Sequence, residues 1–357
     1  MKSTKQIELG YGVPDGLYVP KVAQSNVNCT INKPYVIYQK DFDFFKSNIR
    51  KWCTKINSSM SHIYKHSDLV IGNGSTHIYT VLIRGLYNLL KRPIRLFLEQ
   101  PYWFVAQVLK KEDPQIKYIT DPNADVDLEI RCTPNNPDGT EYIEPKTNAK
   151  YLLYDFAYNM SIYTDKPVTI NQKKNKTYIY TGTVSKIGVP SSRFGWGFVD
   201  GPHSSELAKF MQTEVIITVG GGNVAWYSAN NYLNYLLSNE KHFNKLMTTN
   251  NRILNNNKKI MMKALEPYKF ISIEKPSDHK GGYLWVKTSK KSNLANWFLN
   301  KFNVVVKNGK LFGANQQLVR INMMAKTSDI TEVARRMRKK LTIKKKISIN
   351  KKTRKSR

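Results

Sequence analysis

Between residues 41 and 65 the apolar positions Phe42, Phe44, Phe45, Ile49, Trp52 and Ile56 recur at mixed helical spacings and predict an amphipathic helix. The pattern then shortens. Leu69-Val70-Ile71 is a brief apolar run, Gly72-Asn73-Gly74 breaks it, and Ser75 or Thr76 can cap a periodic segment ending near Leu90, so a strand, a turn and a helix are expected in that order. Apolar runs at 95–98, 117–120 and 127–133, each closed by a Pro, Asp or Asn turn signal, predict further strands, as do 151–154 and 177–180. Downstream, 224–237 and 250–265 read as helices and 270–273, 282–286, 303–306 and 317–323 as strands.

Strands alternating with helices imply an α/β layer architecture rather than a bundle or sandwich, and the second group of strands implies a smaller α+β domain. The expected division is an N-terminal arm over 1–40, a large domain over 41–266, a small C-terminal domain over 267–340 and a basic, disordered tail over 341–357. A chain of 357 residues exceeds the size at which one core usually stops growing, in keeping with two domains. With 41% hydrophobic and 11% aromatic residues it has ample material for a core, which excludes general disorder.

Charge adds one feature. The net charge is +31, and residues 335–357 carry 13 basic residues and no acidic ones, leaving 44 basic against 26 acidic residues on the body. Such a tail suits nucleic acid, an anionic surface or a nuclear-targeting role. Cys29, Cys53 and Cys132 lie far apart, so neither a disulfide framework nor a metal site is expected and a reducing compartment fits. The first ten residues carry Lys2, Lys5 and Glu8 without an apolar run, and no window approaches a membrane span; the expectation is a cytoplasmic protein with no transmembrane segment.

The polar residues with chemical capacity cluster just after strand ends, where ligands of open α/β sheets sit. Gly72-Asn73-Gly74-Ser75-Thr76 offers amides and hydroxyls at a helix N-terminus, a phosphate-binding arrangement that also occurs as a plain capped helix. Thr133-Pro134-Asn135-Asn136-Pro137-Asp138-Gly139 is a turn, and Asp155-Phe156-Ala157-Tyr158 puts a carboxylate and a phenol past another strand. Thr183-Val184-Ser185-Lys186, followed by Pro190-Ser191-Ser192-Arg193-Phe194-Gly195-Trp196, places a lysine beside an arginine and suits a Schiff base next to an anion.

Taken in order, with the late Val319-Arg320, these segments resemble the fold-type I pyridoxal-phosphate enzymes, and most closely the family of alliinase and plant tryptophan aminotransferases, from about residue 10 to 324. The resemblance implies pyridoxal 5'-phosphate as cofactor, a large domain with a mixed, mostly parallel sheet between helices, and a homodimer. Lys186 resembles the Schiff-base lysine and Asp155 the partner of the pyridine nitrogen. Asn136 and Tyr158 match the donors to the cofactor's phenolate oxygen, and Trp103 the ring that stacks on the pyridine. Gly74, Ser75, Thr76, Thr183 and Arg193 match the phosphate contacts, and Arg320 the arginine that grips the substrate carboxylate.

The departures are local. Arg193 follows Lys186 by seven residues, one fewer than the family pattern; Asn159 and Met160 replace aromatics; Val13 replaces an acid in the segment 10–16. The activity implied is transfer of an amino group from an L-amino acid to a 2-oxo acid. A β-eliminating C–S lyase would use the same cofactor residues, and a non-catalytic polyanion-binding protein on the same scaffold is the third reading.

Overall fold

In the computed structural model, residues 5–20, 39–103, 109, 113–189, 192–219 and 223–355 are described. Strand β1 (Ile7–Glu8) precedes helices α1 (Gln39–Ile56) and α2 (Ser61–His66), strand β2 (Asp68–Gly72) and helix α3 (Ser75–Leu90). Strands β3 (Ile94–Leu98), β4 (Ile116–Ile119), β5 (Leu128–Cys132), β6 (Tyr151–Asp155), β7 (Thr177–Thr183) and β8 (Gly195–Asp200) follow. Helices α4 (Ser204–Val219), α5 (Asn223–Ser238) and α6 (Glu240–Leu265) come next. The chain continues through β9 (Ile271–Ile273), β10 (Tyr283–Thr288), α7 (Leu294–Phe302), β11 (Val304–Val305), β12 (Lys307–Asn308), β13 (Leu318–Asn322) and α8 (Thr327–Lys355).

Seven strands form one sheet in the order β2-β8-β7-β6-β5-β3-β4, in which β8 alone runs antiparallel to its neighbours. Every residue of β5, β6 and β7 is buried, as parallel strands covered on both faces must be. A second, antiparallel sheet has the order β12-β13-β10-β9, while β1 pairs in parallel with β11, tying the start of the chain to its C-terminal part.

The structure departs from the sequence pattern at identifiable places. The helix expected over 41–65 is two helices, because Asn57 is buried and donates its side-chain amide to Val168 O at 2.8 Å, turning the chain after Ile56. Strand β8 is not anticipated: Gly195 and Gly197 make it read as a loop, yet it lies between β2 and β7. Helix α4 also escapes, since the exposed Ile216 and Ile217 blur its apolar stripe, as does α7. Helix α6 starts ten residues before its expected beginning. Helix α8 runs to Lys355 where a disordered run was expected from 341; no glycine or proline follows Gly313 to stop it, and Lys and Arg are good helix formers. Cys29, Pro190 and Ser191 lie outside the described residues.

The β2–β8 register brings Gly195 onto the turn that opens α3. A Cβ at Gly195 would overlap the backbone of Gly74 and Ser75, which cannot rotate away as a flexible side chain can. Gly195→Ala should therefore destabilise the fold by about 1–3 kcal/mol, read as a lower urea midpoint with unchanged m. A second expectation concerns Lys258 on α6, which is 1% exposed and donates to Lys280 O at 2.9 Å. Burial pulls its amine down to about 7 from an ordinary 10.5, only partly offset by Asp278. The unfolded chain thus holds a proton there that the fold releases, so stability should rise with pH between about 7 and 10.5. In Lys258→Met that part of the rise should vanish from unfolding midpoints recorded across the same window.

Candidate active site

Strands β2, β5, β6 and β7 run parallel and end at Gly72, Cys132, Asp155 and Thr183, so the loops that follow them emerge at one edge of the sheet. Beyond that edge lies a cavity of about 270 Å³. Ser75, Thr76, Trp103, Asn136, Asp155, Tyr158, Thr183, Lys186, Arg193 and Arg320 all line it, and Gly74 immediately precedes Ser75. With Tyr11 also on its wall, residues up to 309 positions apart in the chain are brought to one place.

Lys186 ends a short 3-10 turn, Val184–Lys186, that follows β7. Its backbone is fixed: Tyr163 OH donates to Lys186 O at 2.6 Å and Tyr232 OH donates to Ile187 O at 2.8 Å. The side chain reaches across to donate from Nζ to Gly12 O at 2.8 Å, with the Tyr158 ring centroid 5.6 Å away. No carboxylate lies within ion-pair distance of this amine among the described residues.

Asp155, the last residue of β6, is 3% exposed. Its Oδ1 accepts from the Ala157 amide at 2.9 Å and its Oδ2 from Tyr79 OH at 2.9 Å. Burial pushes its carboxyl above the ordinary value, while the Ala157 amide, the Tyr79 hydroxyl and the charge of Lys186 act in the opposite direction. A cationic N–H brought against the carboxyl would favour its ionised form.

Arg320, on β13, is only 1% exposed. The guanidinium lies 4.2 Å from the Tyr283 ring centroid and 4.9 Å from that of Phe312. It donates to Asn136 Oδ1 at 2.8 Å and to Gly10 O at 2.6 Å, and its buried Nε has no partner among the described residues. Because arginine only donates, the oxygen of Asn136 must face it, which frees the Asn136 amide nitrogen for another acceptor. Asn136 is presented by a locked turn: Asp138 accepts from Asn135 Nδ2 at 2.7 Å and from the Thr140 hydroxyl at 2.9 Å.

At the other end of the cavity, Gly74 adopts φ 78°, a conformation natural to glycine, and precedes the first turn of α3. A side chain at Gly74 would come within 2.8 Å of Arg193 Nη2. Arg193 is exposed, has φ 46° and donates to Asn73 O at 3.4 Å, so the shortened spacing from Lys186 still delivers its guanidinium to this turn. The Thr183 hydroxyl is engaged within its own loop, accepting from the Ser185 amide at 3.1 Å and lying 3.0 Å from Phe194 O. Trp103 is half-buried, and its ring packs 5.6 Å from that of Tyr79 at a 58° tilt.

Sequence reasoning missed several parts of the wall. Tyr11, Gly12 and Val13 belong to a segment given no role, and their placement follows from the β1–β11 pairing, which no local pattern reveals. Tyr283 opens β10, where its alternation with Trp285 reads as core packing. Its hydroxyl lies 2.6 Å from that of Tyr158. Among the described residues no group of three or more His, Cys, Asp or Glu could hold a metal ion, and no helix is long and apolar enough to cross a membrane.

Comparison with known proteins agrees with this arrangement. A family model described as Allinase matches residues 26–341. Tryptophan aminotransferase-related protein 2 of Oryza sativa subsp. japonica is 29% identical over 166 residues, which are 42% of this chain and 31% of that protein; the chain thus covers less than a third of that relative's length. Two solved structures superpose with the same fold. Tyrosine aminotransferase from Leishmania infantum has a TM-score of 0.73 at 15% identity, covering 94% of this chain and 91% of its own. An aspartate aminotransferase double mutant from Thermus thermophilus has 0.72 at 14%, covering 93% and 90%. The family match across most of the chain, on a scaffold shared with aminotransferases, shows that this protein belongs to the allinase family of fold-type I enzymes, which depend on pyridoxal phosphate.

Proposed function

We propose that the protein is an aminotransferase that moves the amino group of an L-amino acid to a 2-oxo acid through a Schiff base at Lys186. The observation that carries this reading is that Lys186, Asp155 and Arg320 face a single cavity without forming ion pairs with one another. The donor set also fits the cofactor: a buried carboxylate, a free amide on Asn136, a helix N-terminus with two hydroxyls, and a buried guanidinium whose Nε lacks a partner. Pyridoxal phosphate supplies, when bound, an electron sink for the charge that develops at the substrate's Cα.

The chain's own residues do the rest. Asp155 would hold the proton on the ring nitrogen, an exchange of one buried charge for a paired one. Asn136 Nδ2 and Tyr158 OH would donate to the phenolate oxygen, favouring its anionic form. Ser75, Thr76 and Arg193 would hold the phosphate at the N-terminus of α3, where the backbone amides add to the charge-assisted bonds, and Thr183 would brace the adjoining turn. Trp103 would cover one ring face. Arg320 would grip the substrate carboxylate with two parallel bonds, orienting Cα, and Lys186, once released as an amine, would carry the proton between Cα and the cofactor's C4′ carbon.

A homodimer is part of the proposal, since Tyr11 and Arg193 are exposed at the cavity's edge, where a second copy would complete the wall. Family membership also supports a lyase reading with the same residues. Turnover that requires added 2-oxo acid is the expected result; ammonia and pyruvate released without an acceptor would instead establish β-elimination. Borohydride reduction of the cofactor-loaded protein should label the peptide containing Lys186. Lys186→Ala should abolish that label and lower kcat by at least about 10²- to 10⁴-fold, whereas label on another lysine would overturn the assignment.

A further inference from the structure

Tyr158 and Tyr283 meet from different sheets. Tyr158 follows the end of β6 in the seven-stranded sheet, while Tyr283 begins β10 in the antiparallel one. Both are buried, their hydroxyls lie 2.6 Å apart, and their rings pack at 73° with centroids 5.7 Å apart. Tyr163 stands edge-on to Tyr158 with centroids 5.1 Å apart, and the Tyr283 ring rests on the Arg320 guanidinium. A Cβ on Gly12 would overlap the Tyr283 hydroxyl, so the backbone of the N-terminal segment closes over the pair. Each ring is thus held by packing on more than one side.

Each hydroxyl carries one proton. If Tyr158 gives its proton to an anionic oxygen in the cavity, its bond with Tyr283 must run from Tyr283 to Tyr158, and receiving that bond makes Tyr158 the stronger donor. We propose that Tyr283 is a positioning residue that acts through Tyr158, strengthening the bond Tyr158 gives to the cofactor's phenolate oxygen and thereby setting the acidity of the lysine-bound chromophore. The inference rests on the assignment of the cofactor to Lys186. A donor to the phenolate oxygen matters most after the chromophore loses its proton, when that oxygen no longer shares one, so Tyr283 lowers the midpoint of the visible titration.

The test is a spectrophotometric pH titration of the cofactor-loaded protein and of Tyr283→Phe, Tyr158→Phe and the double variant, each checked for folding by circular dichroism and for labelling at Lys186 by borohydride. Tyr283→Phe, which keeps the ring on Arg320, should raise the midpoint by about 0.2–0.7 pH unit. Tyr158→Phe should raise it further, and the double variant should match Tyr158→Phe alone, because Tyr283 has no route to the chromophore without the Tyr158 hydroxyl. An unchanged midpoint in Tyr283→Phe, or shifts that add in the double variant, would overturn the inference while leaving the cofactor assignment intact. A wild-type protein that gives no titrating visible band and no label on Lys186 would overturn the assignment beneath it.

Discussion

Asp155 and Arg320 are opposite charges buried around one cavity, and among the described residues neither is ion-paired. Taking a charge out of water costs several kcal/mol unless bonds replace the lost hydration. Here the replacement is partial: Asp155 has one amide and one phenol, and Arg320 has a carbonyl, an amide oxygen and two aromatic faces. A fold that keeps both charges separated and under-satisfied must hold them rigidly, or they would relax toward solvent or toward each other.

That rigidity comes from the sheet. β5, β6 and β7 are buried along their whole length, so the residues at their ends inherit positions fixed by core packing rather than by loop conformation. The same logic operates at the turn that opens α3, where the start of β8 lies so close to the backbone of Gly74 and Ser75 that only a glycine fits at 195. Tyrosine hydroxyls supply a second layer of restraint: Tyr79, Tyr163 and Tyr232 each bond to a site residue or to the backbone beside it. The second sheet contributes Arg320 and Tyr283, so the cavity is shared between the two sheets.

Much of this was legible from the chain alone. The apolar runs that became β2, β3, β5, β6 and β7 stand out because buried parallel strands need no polar alternation, and the motif residues lie directly after them. β8 was hidden because its two glycines serve the contact with α3 and its N-terminal turn rather than strand propensity. Tyr283 and the segment from Gly10 to Val13 were hidden for another reason. The segment approaches the cavity through pairing across some 300 residues, and Tyr283 meets Tyr158 from 125 residues away, so neither leaves a local signature. The burial of Arg320 is likewise a consequence of tertiary packing, since a strand arginine among apolar neighbours is compatible with either environment.

The segment from Gly10 to Val13 has a further consequence. Gly10 O, Gly12 O and Val13 O accept from Arg320, Lys186 and Asn322, so two backbone carbonyls already satisfy side chains that line the cavity and a third braces the strand beside them. A group joined to Lys186 would displace its bond to Gly12 O, and a ligand at Arg320 would meet an Nε that has no partner among the described residues, beside two donors that Gly10 O and Asn136 Oδ1 hold. Measured occupancies will therefore report a difference between two sets of bonds, and altering the conformational preference of this short stretch, which lines the cavity at Tyr11, Gly12 and Val13, will tune ligand retention.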